Sequence, residues 1–171
     1  PGQTPTLSLI SKPRPPWQRG DFVELLKLGQ YLNAISNRQD KIVVVGSSFV
    51  INQQLISKLV GNGPAASSFI YTSETGGINT THLQAYAAGT LFLVAAPTQY
   101  HLQPEAQAGM GSLAALFPPP PELASYFIKS PSSFTLDGDV SLSVWKKVKP
   151  WKEKDLDAGL ALLEQKPLPN H

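Results

Sequence analysis

Two short polar segments, each following an apolar run, carry the residues best suited to chemistry. Gly46-Ser47-Ser48 follows Lys41–Val45, and Gln99-Tyr100-His101 comes soon after Leu91–Pro97. Ligands of open α/β sheets bind just beyond the carboxyl ends of strands. Backbone amides at a helix start can hold an anion there, and a histidine can carry a proton near neutral pH. We therefore predict a binding site formed by Ser47, Ser48, Asn52, Gln99, Tyr100 and His101.

These segments do not complete a catalytic motif. The phosphate-binding patterns G-x-G-x-x-G and G-x-x-x-x-G-K-[ST] are absent. Ser48 stands at the serine position of a G-x-S-x-G nucleophile elbow, but Val50 replaces the second glycine. We interpret the segment as a tight turn in which Ser48 caps the next helix, and we predict no catalytic residue. The alternative is a free-standing Rossmann-like enzyme that binds a nucleotide or S-adenosylmethionine at this turn.

The histidines and the absence of cysteine limit the metal and redox chemistry. His82 falls in a predicted helix, and His171 is the last residue; neither has a second ligand at metal-binding spacing. The chain has no cysteine, so thiolate catalysis and disulfides are excluded. His101 could shuttle a proton, but a histidine beside a strand end more often hydrogen-bonds to a loop. We predict no metal site and no cofactor.

The composition fits a globular domain that packs against a partner or a membrane-bound body, and it fits equally a proline-rich, weakly charged globular protein. Of the 171 residues, 42% are hydrophobic, which is enough for a real core, and only 15% are charged. The net charge of +2 is too small to favour nucleic acid as a partner. No apolar run approaches the roughly 20 residues needed to span a bilayer. Since the chain begins with Pro1 rather than Met, we expect it to derive from a longer polypeptide.

One basic cluster near the C-terminus has two interpretations. Tryptophans are interleaved with its lysines, which are Lys146, Lys147, Lys149, Lys152 and Lys154. Lysines on an edge strand protect it from aggregation, and we favour that interpretation. Contact with anionic lipid is the second.

The order of elements predicts an α/β fold. Asp21 and Glu24 form a candidate capping box for a helix that ends near Asn37. Three strand candidates then alternate with helices, which favours right-handed crossovers and a parallel sheet. These strands are Lys41–Gly46, Ser68–Thr72 and Leu91–Ala96; the helices between them run from about Val50 to Val60 and from Asn79 or Thr80 to Gly89. We predict a three-layer, mostly parallel Rossmann-like sheet.

The C-terminal part adds helices and a hairpin. Asp137-Gly138-Asp139 between alternating apolar runs is a strong hairpin signal. The predicted strands are Ser133–Leu136 and Val140–Val148, and the predicted helices are Gln103–Phe117, Glu122–Ile128 and Lys154–Gln165. The five prolines in residues 1–19 predict an extended arm. We therefore predict a single α/β domain over residues 20–171, preceded by this arm.

Several of these segments together resemble a known family. They are Val43–Ser48 followed by Ile51–Leu55, the stretch Pro97–Gln107, and the hairpin from Phe134 to Lys147. In this order they resemble the soluble C-terminal domain of bacterial integral-membrane (GT-C) glycosyltransferases, relatives of the dolichyl-phosphate-mannose–protein mannosyltransferases. The resemblance covers roughly Asp21 to Trp151.

The resemblance implies a function that this chain would support rather than perform. In that family the donor is a polyprenyl-phosphate sugar, and the catalytic carboxylate lies in a loop between membrane helices, which this chain lacks. We therefore expect a non-catalytic domain on the extracytoplasmic face of a bacterial membrane. Its expected partners are the membrane-embedded part of the same polypeptide, a polyprenyl-linked sugar or acceptor, and a second copy of the chain. A pure assembly module is a third hypothesis.

Overall fold

The computed structural model describes residues 19–67, 69–70 and 76–165. The predicted proline-rich arm therefore lies outside the described residues, except for Arg19. The strands are β1 (Ile42–Val45), β2 (Leu91–Ala96), β3 (Phe127–Leu136) and β4 (Val140–Lys147). The α-helices are α1 (Phe22–Ile35), α2 (Gln53–Val60), α3 (Thr80–Ala88), α4 (Ala108–Ala114), α5 (Pro121–Ala124) and α6 (Glu153–Gln165). Short 3-10 turns lie at Pro64–Ser67, Pro104–Gln107 and Asp137–Asp139.

The sheet is mixed, so the α/β class is confirmed and the prediction of a mostly parallel sheet is wrong. Its strand order is β1-β2-β4-β3. β1 and β2 are parallel, whereas β4 is antiparallel to both of its neighbours. The physical reason is the tight turn between β3 and β4, since a short connection allows only antiparallel pairing.

The predicted strand Ser68–Thr72 is described only in part. Phe69 forms a parallel bridge with Ile42, and the Ile70 amide donates to the Ile42 carbonyl at 2.9 Å. The rest of that segment lies outside the described residues. β1 therefore has a parallel contact on each side, and its four residues are all buried.

Helices cover both faces of the sheet and make three layers. On one face, α1 and α2 pack on alternate residues of β1 and β2, with Leu28, Val44 and Leu93 in one core cluster. On the other face, α3, α4 and α6 pack around Phe92 in a second cluster. Fully burying each such side chain contributes about 1.5–3 kcal/mol. The alternation of the two clusters along each strand follows from the two-residue period of β structure.

The C-terminal hairpin is confirmed, but its first strand starts earlier than predicted. Gly138 takes a φ of 71° in the turn, a value that glycine adopts without strain. The predicted helix Glu122–Ile128 is only the four-residue α5, and the strand begins at Phe127. Pairing with β4 is irregular between Lys129 and Ser133, where proline cannot donate to the ladder.

Two predicted helix caps are wrong because tertiary contacts use the side chains. Asp21 makes no capping hydrogen bond; its carboxylate accepts from Arg19 and from the Asp137 amide. Ser48 does not cap α2, which begins later than predicted. Asn52 is the cap, and its Oδ1 accepts from the Leu55 amide at 2.9 Å.

The lysine cluster does not mark an edge strand, because β4 lies between β2 and β3. Lys147 instead enters the structure, where its Nζ donates to the Ala87 carbonyl at 2.9 Å. The same nitrogen lies 5.2 Å from the centre of the Trp151 ring. Burial lowers the pKa of Lys147 to about 8.

The lowered pKa of Lys147 predicts a pH dependence of stability. The unfolded chain keeps this proton up to the ordinary pKa of 10.5, so above pH 8 the unfolded state binds more protons than the folded state. Stability must then rise with pH across this interval. We expect the free energy of unfolding in urea to rise by about 1 kcal/mol between about pH 7.5 and 9.5, a value reduced for partial solvent screening.

The control for this prediction is the neighbouring lysine. Lys147→Met should abolish the rise with pH, whereas Lys146→Met, at an exposed position of the same strand, should keep it. An equal rise in the wild type and in Lys147→Met would contradict the assignment of this titration to Lys147.

Candidate functional site

The loops that follow β1 and β2 lie side by side and form one edge of the sheet. The Ser47 amide donates to the Gln99 carbonyl at 2.8 Å, which joins the two loops directly. Within the first loop, Gly46 allows Ile51 to pack closely, since a Cβ atom at Gly46 would lie 3.0 Å from Cγ2 of Ile51. We call residues 46–52 and 97–102 the strand-tip edge. The structure places all six predicted site residues on it; whether they bind a ligand stays a prediction.

Ser47, which is buried, and His101, which is exposed, form a hydrogen-bonded pair. The Ser47 hydroxyl lies 2.8 Å from Nδ1 of His101, and Ser47 is only 3% exposed. The amide Nε2 of Gln107 approaches the same Nδ1 at 3.1 Å. A serine nucleophile needs a histidine base that a third group orients and charges. Gln107, which lies beside Nδ1 of His101, offers a neutral amide, which cannot stabilise an imidazolium as a carboxylate does.

Gln107 lies outside the strand-tip edge but fixes one of its loops, and the predicted site omitted it. Its Oε1 accepts from the amides of His101 and Leu102, both at 2.9 Å, and the residue is 1% exposed. It therefore holds the loop after β2 in place. The sequence signal was available, because Gln107 closes the Pro97–Gln107 stretch, but a buried glutamine cannot be told from a surface one by type.

The other predicted polar residues also hold the loops. The Ser48 hydroxyl donates to Oε1 of Gln99 at 3.1 Å and accepts from the amides of Val50 and Ile51. The side-chain amide of Asn52 donates to the Ser48 carbonyl at 2.8 Å. The ring of Tyr100 packs against the second core cluster, and burial raises the pKa of this tyrosine.

A small pocket opens between these loops. Its volume is about 180 Å³, and its lining residues are Ser47, Ser48, Phe49, Asn52, Gln54 and His101. Pockets for drug-sized ligands measure about 300–1,000 Å³. The pocket suits a single polar group better than a nucleotide or S-adenosylmethionine, which does not favour the alternative function. Of the lining residues that the structure describes, none is a carboxylate.

An ion pair fixes the loop that carries Phe49. Arg19 donates to the carbonyls of Phe49 and Val50 at 2.8 and 3.0 Å. It also pairs with Asp21; the two side chains are 8% and 4% exposed. Burial opposes ionisation of Asp21, but hydrogen bonds from Arg19 and the Asp137 amide hold its pKa below the ordinary value. The hydrogen bonds from Arg19 therefore fix the backbone of the loop at Phe49 and Val50.

Two large apolar side chains project from the strand-tip edge. Phe49 is 69% exposed and Leu102 is 44% exposed. Their backbones are fixed by Arg19 and by Gln107, respectively. Exposed apolar groups on an ordered backbone suit a contact with another protein surface, because little conformational entropy is lost on binding.

The residues that the structure describes contain no group of three or more His, Cys, Asp or Glu side chains that could hold a metal ion. The ring of His82 is buried, and its Nδ1 lies 2.9 Å from Oδ1 of Asn79, the residue that caps α3. His171 lies outside the described residues.

Within the described ranges, no helix has both the length and the apolar character needed to cross a membrane. Comparison of the chain with family models, curated proteins and solved structures finds no match.

The ion pair beneath the Phe49 loop gives a stability prediction. Arg19→Ala leaves the Asp21 carboxylate buried without its main partner, a change that typically costs about 3–5 kcal/mol. We expect a loss of about 3 kcal/mol in the free energy of unfolding, measured with urea. Lys27→Ala is the control, since its pair with Glu24 is exposed and surface pairs contribute about 0–1 kcal/mol. Equal effects of the two changes would show that the Arg19 pair contributes no special stability.

Proposed function

We propose that this chain is a non-catalytic, extracytoplasmic domain of a bacterial membrane glycosyltransferase that uses a polyprenyl-phosphate sugar. The observation that carries the proposal is the combination of hydrogen-bonded polar side chains and exposed apolar side chains on the strand-tip edge. Its polar side chains hydrogen-bond to one another, whereas Phe49 and Leu102 remain exposed. The edge therefore suits protein contact better than catalysis. The sequence resemblance supplies the identity of the parent.

The chemistry of glycosyl transfer favours a non-catalytic role for this domain. Enzymes that make or break glycosidic bonds ordinarily use carboxylates as acid, base or nucleophile. Among the described residues, the pocket at the strand-tip edge has hydroxyl, amide and imidazole groups around it, and no carboxylate. Glu105, the nearest acidic residue along the chain, is exposed and does not line the pocket. Catalysis would then belong to the membrane-embedded part.

The partner that best fits the strand-tip edge is the membrane-embedded part of the same polypeptide. That partner is covalently attached, so even a small apolar contact is favoured by a high effective concentration. Docking there would bring the 180 Å³ pocket close to the bound sugar donor or acceptor. We infer that Phe49 and Leu102 are the apolar anchors of this contact.

The parallel half of the sheet agrees with a Rossmann-like ancestry of the domain. β1 has Phe69 on one side and β2 on the other, both parallel to it. The strand-tip edge lies at the carboxyl ends of these strands, where such folds bind their ligands. We infer that this half is the Rossmann-like part and that the hairpin was added beside it.

The proposal predicts that the chain alone has no transferase activity. Incubation of the purified chain with a polyprenyl-phosphate sugar and a peptide or lipid acceptor should give neither hydrolysis nor transfer. The reason is that none of the pocket-lining residues in the described part of the chain is a carboxylate. Robust turnover by the isolated chain would overturn the proposal.

The proposal also predicts that the exposed apolar side chains of the strand-tip edge contribute to docking and therefore to activity. In the full-length enzyme, Phe49→Ser combined with Leu102→Ser should lower transferase activity at least about thirtyfold, since apolar anchors contribute about 1–2 kcal/mol each. Leu26→Ser is the matched control, because Leu26 is also 44% exposed but lies on α1. An unchanged activity of the double variant, with normal expression, would contradict the docking role.

A further inference from the structure

The end of the sheet where β1 and β2 begin differs from the strand-tip edge. Four segments meet there through backbone hydrogen bonds. Thr90 donates to the Lys41 carbonyl at 2.8 Å, and the Lys147 amide donates to the Thr90 carbonyl at 2.7 Å. The Val148 amide donates to the Tyr126 carbonyl at 2.9 Å. These bonds fix the relative positions of the side chains at this end.

Apolar side chains project from this end. Ile128 is 59% exposed and Val148 is 47% exposed. They lie on the same face of the hairpin, because Ile128 pairs with Lys146 and Val148 follows two residues later. A groove of about 420 Å³ lies beside them, and Ile35 and Val144 contribute to its lining. An apolar surface of this kind favours contact with another apolar phase.

The same end carries positive charge. The exposed basic residues in its segments are Arg38, Lys41, Lys146 and Lys149. Asp40 is the one carboxylate in residues 36–41 and 145–150, and it is 6% exposed. It accepts from the Asn37 amide at 2.9 Å and from the Thr90 hydroxyl at 3.1 Å. Its charge is therefore turned inward, away from the surface that the basic residues form.

The exposed acidic residues near this end, Glu122 on α5 and Glu153 on α6, are fewer than its exposed basic residues. Asp155, at the start of α6, accepts a hydrogen bond from the hydroxyl of Tyr126. Glu153 is exposed, but Lys152 and Lys154 flank it. At the opposite end, by contrast, the hairpin turn carries Asp137 and Asp139. The long axis of the sheet therefore runs from a basic end to an acidic end.

We infer that the basic end, formed by Arg38, Lys41, Ile128, Lys146, Val148 and Lys149, binds the surface of an anionic lipid bilayer. Each lysine or arginine near such a surface raises the affinity for the bilayer about fivefold. Ile128 and Val148 enter the boundary between headgroups and acyl chains. The apolar centre of the basic end matches the acyl chains, and its basic rim matches the anionic headgroups.

A second copy of the chain fits this surface less well. A symmetric dimer brings the same patch of both copies together, so the four basic residues of one copy would face those of the other. Like charges at an interface oppose association. A bilayer supplies the opposite charge. The inference does not rest on the proposed function, since it concerns only the surface of this chain. Because the basic end lies opposite the strand-tip edge, both contacts are made together only if the sheet lies along the bilayer surface.

Vesicle co-sedimentation of the 171-residue chain tests the inference. The probes are phosphatidylcholine vesicles and phosphatidylcholine vesicles that also contain phosphatidylglycerol. We expect binding only to the anionic vesicles at about 0.15 M salt, and its loss at about 1 M salt, where charges are screened within a few ångström. Equal binding to both kinds of vesicle, or no binding to either, would overturn the inference.

Matched variants locate the surface. Lys41→Gln with Lys146→Gln should weaken binding to anionic vesicles about twentyfold, as two lysine contributions multiply. Ile128→Ser with Val148→Ser should also weaken it, whereas Lys58→Gln on α2 is the exposed control and should bind as the wild type does. Circular dichroism melting confirms that each variant is folded. Unchanged binding by the folded double-lysine variant would refute the assignment.

Light scattering tests whether a second copy of the chain, rather than a bilayer, occupies this surface. If Ile128 and Val148 mediate self-association, the wild type will dimerise at rising concentration, and Ile128→Ser with Val148→Ser will be monomeric. A dimer of this kind, together with failure to bind anionic vesicles, would replace the bilayer with a second copy. A monomeric wild type that binds anionic vesicles supports the bilayer. Neither result depends on glycosyltransferase activity, so this inference and the proposed function can fail separately.

Discussion

The buried ion pair of Arg19 and Asp21 joins three parts of the chain that are distant in sequence. Arg19 reaches the loop after β1 through the carbonyls of Phe49 and Val50, and Asp21 accepts from the Asp137 amide in the hairpin turn. Removing two charges from water is costly, so the pair is stable only because these extra hydrogen bonds are made. The pair therefore sets where the hairpin turn and the Phe49 loop lie relative to α1.

With that loop fixed, the strand-tip edge becomes an ordered surface. Ser47, His101 and Gln107 connect the two loops, and Ser48 pairs with Gln99. Residues that would be candidates for catalysis in an open cleft serve here to hold backbone. This is the physical basis on which we propose a role in contact rather than turnover. The basic end of the same sheet offers a different chemistry, so the domain presents two unlike surfaces along one axis.

A large part of the fold followed from local patterns. The apolar runs gave β1 and β2, Asp-Gly gave the hairpin turn, and Asn79 and Gly89 bounded α3 as predicted. The placement of the six predicted site residues on one edge also followed, because parallel strands bring their carboxyl ends together. Local patterns did not reveal Gln107 or Arg19, whose importance comes from burial and from partners far along the chain.

The sequence by itself determined the class of the elements, their approximate bounds and the turn chemistry, because these depend on residues a few positions apart. Only the tertiary structure decided that β4 lies beside β2, that Asp21 binds the hairpin turn instead of capping α1, and that Lys147 turns inward beside Trp151. Strand order and side-chain pairing depend on contacts between distant segments. The free energies of competing arrangements differ by little, and no local pattern encodes that difference.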